Sequence, residues 1–325
     1  MWPIPWQTRV CAAIEADVDP KLIPLEDLRP VQTWHRPLLK NRAAVVSLLF
    51  VAVTLLIALA GPYAYQNILP GSDAKLRDGV YQDYNAINSS PNLTHWLGTD
   101  YLGRDTLTRL LTAIRISLLV ACLVEAINIG LGSSLGLLAG FFGGWVDIVI
   151  SRLADMLFAF PGLLLAILVS AVFGSTAREL YGGTGRLVLV AGALSLVSWP
   201  LMARLVRSET LSIRERDFVT AARGLGAGQL QIILTHLLPN VTWLIIVAST
   251  LDVASVIVSE ATLSLLGLGI EEPGASLGLM IFRSVGRIER DPFQVFVPAL
   301  AITGLVLAFS FLGDGLRDIF DPQGR

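Results

Sequence analysis

Six apolar runs divide the chain: Ala43–Ala60, Ile116–Gly140, Val146–Phe173, Leu187–Val206, Val241–Leu266 and Phe293–Leu312. A helix needs roughly 20 apolar residues to cross a bilayer, so each run predicts one crossing. The third is long enough to tilt or to begin outside the hydrocarbon. Six crossings return both termini to one face. Lys40 and Arg42 flank the first run, and Arg204, Arg207, Arg214, Arg216 and Arg223 crowd the stretch around the end of the fourth. The positive-inside rule then places the N-terminus, that stretch and the C-terminus in the cytoplasm. Arg104, Arg109, Arg115, Arg283, Arg287 and Arg290 fall on or near the outer side. The orientation therefore rests on the first run and the basic stretch, which agree.

Between the fourth and fifth runs lies Asp217 to Asn240, DFVTAARGLGAGQLQIILTHLLPN. Phe218, Ala221, Ala222 and Leu225 recur at helical spacing and share one face. The alanines keep that face low enough for another surface to approach. Gly224, Gly226 and Gly228 then break the helix. A second helical pattern, Leu230 to Leu238, is expected to end at Pro239, which cannot continue a helix. This pattern predicts a short helix-turn-helix at a membrane face, with a surface open to a partner.

The segment Gly61–Thr112 carries Pro62, Pro70, Gly71 and Pro91 with many polar residues. It predicts an ordered, irregular external piece. The N-terminal residues, with Trp2, Trp6 and Trp34, predict a segment lying against the bilayer or a partner, or a loose tail. They contain no continuous apolar stretch of the signal-peptide kind, so the first run is expected to be the membrane-entry signal. Three parts follow: a cytoplasmic segment 1–42, a first helix with its external segment 43–112, and a five-helix core 113–325 holding the loop 207–240.

Ionisable residues inside crossings are costly and are functional candidates by default. Glu125 and Asn128 lie less than a turn apart in the second run, where they either line an aqueous path or hydrogen-bond between helices. Arg152 and Asp155 predict an i,i+3 ion pair. Asp252 and Glu260 fall in the fifth run. Pro161, Gly162 and Pro200 predict bends, and the small residues of Gly130 to Gly140 predict close helix packing. In the box GTDYLGRD, Gly98 and Gly103 suit tight turns, while Asp100, Arg104 and Asp105 suit charge-assisted bonds. Its place before the second run predicts a brace at the outer mouth.

Composition agrees with the pattern. The chain is 54% hydrophobic and only 15% charged, the balance of a polytopic membrane protein. A net charge of −2 gives no sign of a nucleic-acid partner. Cys11 and Cys122 sit in unlike settings, which argues against a structural disulfide. His35, His95 and His236 are expected on different elements, so no metal site is predicted. The lysines are Lys21, Lys40 and Lys75, and none follows a glycine. A phosphate-binding loop ending in Gly-Lys is therefore excluded, and if ATP drives this protein, another chain hydrolyses it.

The loop resembles the cytoplasmic coupling loop of bacterial ABC-importer permeases, in which Glu-Ala-Ala is followed by a glycine and a late proline. Ala221, Ala222, Gly226 and Pro239 match, and Thr220 stands in place of the usual Glu. LGTDYLGRD (Leu97–Asp105), AGFFGGWVD (Ala139–Asp147), DMLFAFPGLLLA (Asp155–Ala166), EATLSLLGLG (Glu260–Gly269) and GDGLRDIFDP (Gly313–Pro322) resemble, in order, the C-type subunit of the peptide/nickel branch. The resemblance implies an all-α, six-helix type I permease in the bacterial inner membrane. It implies a homologous second permease subunit, two cytosolic ATPase subunits or domains carrying ATP and Mg, and an external solute-binding protein. This chain would bind no cofactor itself. Coupling would fall to Asp217, Phe218, Thr220, Ala221, Ala222, Leu225, Gly226 and Pro239. Glu125, Asn128 and Glu260 are candidates for the translocation path. Peptide import is the leading expectation, with nickel chelates or glutathione in the same branch. An ion-coupled carrier using Glu125, Asp252 and Glu260 is the alternative from another class.

Overall fold

A computed structural model of the protein describes residues 42–67 and 75–320. The expectations for residues 1–41 and for Pro70, Gly71 and Pro322 lie outside them. Among the described residues a 3-10 turn spans Tyr84–Ala86, and the longer helices are α1 Arg42–Asn67, α2 Thr106–Phe142, α3 Gly144–Phe158, α4 Gly162–Arg214, α5 Asp217–Gly224, α6 Gln229–Leu265, α7 Leu277–Val285 and α8 Phe293–Phe320. Extended pairing among them is limited to one isolated bridge between Thr99 and Asp105. Wider π turns interrupt α2 at Asn128–Gly132 and α6 at Ile233–Leu237.

Five helices, α1, α2, α4, α6 and α8, are long and apolar enough to cross a membrane. The 53-residue α4 crosses twice, because Gly182 takes φ 60° and ψ −144° and turns the chain back. A Cβ added at Gly162 would strike Val197, one at Gly174 would strike Arg186, and one at Gly185 would strike Ala177. These pairs run in opposite senses about Gly182, as an antiparallel helical hairpin requires. Four single crossings and one hairpin restore the six expected.

The predicted third crossing, Val146–Phe173, is corrected. Gly143, at φ 64°, ends α2 and starts α3. Pro161 then separates α3 from α4, since the residue before a proline avoids the helical region. The run is thus a separate amphipathic helix followed by the first arm of the hairpin. Trp145, Ile148, Leu153 and Met156 of α3 are exposed. Asp147 and Asp155 tie α3 to α4: Arg207 Nη2 donates to Asp147 at 2.7 Å and Arg204 Nη2 to Asp155 at 2.9 Å. The expected Arg152–Asp155 pair is therefore replaced by one that crosses between helices. Hydrogen bonding from Arg207 holds the Asp147 carboxyl below its ordinary pKa against the cost of burial.

Two apolar clusters build the bundle. One joins Ala58 of α1, Val120 and Val124 of α2, Ala193 of α4, Ile257 and Leu263 of α6, Leu277 of α7 and Leu305 of α8. The other joins Phe141, Met202, Val206 and Ile213 to Val219 of α5 and Ile232, Leu237 and Val241 of α6. Between them Gly132, Gly136 and Gly140 bring α2 against α4. A Cβ on these glycines would meet Trp199 O at 2.9 Å, Ala203 O at 2.5 Å and Arg207 O at 2.9 Å. Gly130 has open space instead, so the small-residue packing belongs to every fourth residue of the run.

Candidate functional site

Three groups of predicted site residues fall at three levels of the bundle. At one end, α5 runs from Asp217 to Gly224 and stops as Leu225, Gly226 and Ala227 donate to the carbonyls of Ala221, Arg223 and Ala222, each at 3.0 Å. Gly226 sits at φ +83°, with open space where a Cβ would go, so its backbone angle alone calls for glycine. Gly228 then precedes the first turn of α6. Val219 is fully buried and anchors α5, while Phe218, Ala221 and Thr220 are exposed and Ala222 is half-buried. Leu225 is 87% exposed. Arg214 Nη1 donates to Gly140 O at 3.0 Å and Phe141 O at 3.2 Å, and Arg223 lies 5.5 Å from the Phe141 ring. Helix α5 is thus fixed to the ends of α2 and α4 and presents an open apolar edge.

Pro239 does not end a helix here. It occupies the first turn after the Ile233–Leu237 π turn, and α6 continues to Leu265. The widened turn accommodates a ring that would collide with the carbonyl four residues back in a regular helix.

Within the membrane level, Asn128 Nδ2 donates to Asp252 Oδ2 at 3.1 Å and approaches Glu125 Oε1 at 3.5 Å. Ser198 Oγ donates to Asn128 Oδ1 at 3.0 Å. The four residues come from α2, α4 and α6. Glu260 is elsewhere. It is fully buried, accepting from Ser117 Oγ at 2.7 Å and Ser264 Oγ at 2.8 Å. Ser264 Oγ in turn accepts from Ile270 N at 3.2 Å, so Glu260 ties α2 to the turn after α6. The three path candidates thus divide into a pair, Glu125 and Asn128, and a walled-off Glu260. Ser198 was not singled out in the sequence; the polar residue two before Pro200 in an apolar run was the available signal.

At the opposite end, Asp105 caps α2 by accepting from Thr108 N at 2.8 Å, and it also meets His95 Nδ1 at 2.9 Å and Tyr65 OH at 3.1 Å. Asp100 accepts from Arg104 N at 3.0 Å and Arg104 Nε at 2.8 Å. Arg104 Nη2 reaches Glu272 Oε1 at 3.2 Å, and Tyr101 OH reaches the same oxygen at 2.9 Å. Burial opposes ionisation of Glu272, but the hydrogen bonds from Arg104 and Tyr101 outweigh it and hold its pKa below the usual value. Gly103 has φ +74° and lies against Asp83 O, where a Cβ would stand 2.0 Å away. Sequence reasoning missed Glu272, and also Arg77, whose buried guanidinium donates to the carbonyls of Tyr65, Leu93 and Thr94 at 3.0–3.1 Å.

Residues 132–325, more than half of the chain, match the family described as binding-protein-dependent transport system inner membrane component. The chain belongs to that family. Residues 30–91 match the N-terminal TM domain of oligopeptide transport permease C. A glutathione transport system permease protein of Pectobacterium atrosepticum is 38% identical over 294 residues, covering 90% of this chain and 91% of that one. A dipeptide transport system permease protein of Alkalihalophilus pseudofirmus is 36% identical over 311 residues, 94% of this chain and 95% of that one. The fold is similar to that of the MetNI methionine ABC transporter in an inward-facing conformation, with a TM-score of 0.50 and 19% identity over 66% of this chain and 97% of that one. This permease is therefore a multi-pass membrane transport component with the all-α fold expected from its motifs.

Proposed function

We propose that this permease subunit imports peptides of the di- or oligopeptide class in an ATP-driven ABC importer. A second, homologous permease subunit completes the path. Two cytosolic ATPase subunits or domains dock on the coupling loops and hydrolyse ATP, and an external binding protein delivers substrate. The loop end and both termini face the cytoplasm of a bacterium, and the Arg104 brace faces outward. The single observation that carries this reading is α5. Its open edge of Phe218, Ala221 and Leu225 is fastened to α2 and α4 through Val219, Arg214 and Arg223. A contact there moves the transmembrane helices as a unit, which couples ATPase closure to alternating access.

Glutathione import is the second reading. A relative named for glutathione transport is 38% identical across nine-tenths of this chain. An ion-coupled carrier needing no ATPase is disfavoured by membership of a binding-protein-dependent family. The test is crosslinking from Ala222→Cys to the ATPase in the assembled importer. Crosslinks that change with nucleotide are expected. Crosslinking only from the Arg104 end would overturn the assignment. Uptake of dipeptide against uptake of glutathione, both with the purified binding protein, separates the two substrate readings.

A further inference from the structure

Asp252, Ser255, Ser259 and Thr262 recur at spacings of three, four and three residues, so they share one face of α6. None is buried, whereas Val256, Ile257 and Leu263 of the same helix fill the core. A serine or threonine in a membrane helix can satisfy its hydroxyl on its own backbone, as Thr262 does by donating to Val258 O at 2.7 Å. An aspartate cannot. A polar stripe that includes a carboxylate is expensive against lipid and suits a water-filled path.

At the end of that stripe nearer α5, Asp252 meets Glu125 of α2 through Asn128. Glu125 is more than nine-tenths buried, and its Oε2 has no hydrogen-bond partner. The hydroxyl of Ser249, which also faces the Glu125 carboxyl, is likewise buried without a partner. Buried polar atoms are nearly always bonded, so two unpartnered oxygens in one cluster mark a place built for a further group. That group is a cation. The cluster holds two carboxyl groups and only neutral donors, the Asn128 amide and the serines. Among the described residues, every ion pair lies with other acidic groups. One proton shared between the two carboxyls would still leave a net negative charge.

We infer that Glu125 and Asp252 form a receiving site on the translocation path for a single positively charged group, the ammonium at the amino terminus of a passing peptide. The ammonium assignment rests on the peptide reading above. The cation site rests on the stripe and the unpartnered oxygens alone. An ammonium donates three hydrogen bonds, and Glu125 Oε2, Asp252 and Ser249 Oγ offer acceptors from two helices. The π turn of α2 begins at Asn128, the residue whose amide meets both carboxylates.

The test uses the complete importer in proteoliposomes, with Cys11→Ser, Cys122→Ser and Ser255→Cys in this subunit. A cationic trimethylammonium thiosulfonate should modify Ser255→Cys about tenfold faster than an anionic sulfonate analogue, after correction for their rates on free cysteine. Glu125→Gln with Asp252→Asn should abolish the preference, and gel filtration should show the complex intact. Glu125→Gln alone serves if the double variant does not assemble. A preference that survives neutralisation, or no reaction with either reagent in an active importer, would overturn the site. Adding binding protein, MgATP and dialanine should then slow modification, whereas N-acetyl-dialanine should not. Equal protection by both would overturn the ammonium assignment. A parent importer that keeps the charge preference but takes up no dipeptide would defeat the peptide reading alone.

Discussion

At one end of the bundle Arg104 closes on Asp100 and Glu272, Asp105 holds His95, Tyr65 and the start of α2, and Arg77 fills three carbonyls. At the other end Phe218, Leu225 and Leu230 stand open around a single buried Val219. The first end meets its polar demands within the chain. The second leaves apolar surface for something else to cover. Charge density does not separate the ends, since both are rich in arginine. The difference lies in where the partners come from. A brace must hold its shape through a transport cycle, and a coupling surface must make contacts that change.

The largest effect expected from this contrast is at the brace. Arg104→Ala removes the cation that bridges Asp100 and Glu272, and leaves them only the longer contacts to Arg109 at 3.6 Å and Arg283 at 3.5 Å. Removing one member of a buried ion pair costs about 3–5 kcal/mol. Thermal unfolding in detergent should show the loss, with hydrolysis per folded complex unchanged. Wild-type stability in this variant would mean that the brace is ornamental.

Next is Ala222→Trp at the open end, where the opposite outcome is expected. Stability should stay within about 1 kcal/mol of the parent because the site is only half-buried. Uptake per ATP hydrolysed should fall about tenfold, equivalent to ~1.4 kcal/mol of coupling. Uptake and hydrolysis falling together would place the residue outside the contact.

A smaller effect is expected for Gly226→Ala. The new methyl meets open space, but the backbone at φ +83° disfavours any residue with a Cβ by about 1–2 kcal/mol. The loss should appear as faster local amide exchange across residues 217–228 and leave the brace untouched. Unchanged exchange in this segment would show that the turn relaxes freely.

The six crossings and the short helix Asp217–Gly224 with its open face were legible in the sequence because both are local. An apolar run reports its own length, and Phe218, Ala221, Ala222 and Leu225 report their own helix face. What escaped required distance. Arg104 and Glu272 are 168 residues apart, so no spacing rule joins them. Asp155 chose Arg204 of α4 over Arg152 because α3 is a separate helix turned toward the hairpin. The start of the third crossing was misread because apolar residues dominate Val146–Phe173 despite Asp147, Arg152 and Asp155, and only Gly143 before it and Pro161 within it mark the boundaries of the two helices. Pro239 was misread because a π turn leaves no local mark that single-residue propensities detect.

The smallest effect is a pH dependence. The Glu272 carboxyl is held below its ordinary pKa, so its folded form favours ionisation. The stability it contributes is full above the unfolded value of about 4.3 and is lost as pH falls through the lower folded value. The difference in melting temperature between the parent and Glu272→Gln should be constant near neutrality and vanish in that acidic window. A difference that grows with acidity would reverse the sign and remove Glu272 from the brace.

The hairpin of α4 has a consequence in time. Arg186, just past the Gly182 turn, is buried in the finished fold, where its Nε donates to Gly269 O at 2.9 Å and its Nη2 meets Glu271 at 3.4 Å. Both partners are synthesised after it. At roughly 5–20 residues per second, Glu271 leaves the ribosome about 4–17 s after Arg186. For that interval the hairpin carries an unmatched guanidinium at its tip, where a long side chain can reach water at the bilayer surface. The tip therefore reaches its final place only once the segment after α6 has been made, and the order of synthesis fixes the order of assembly.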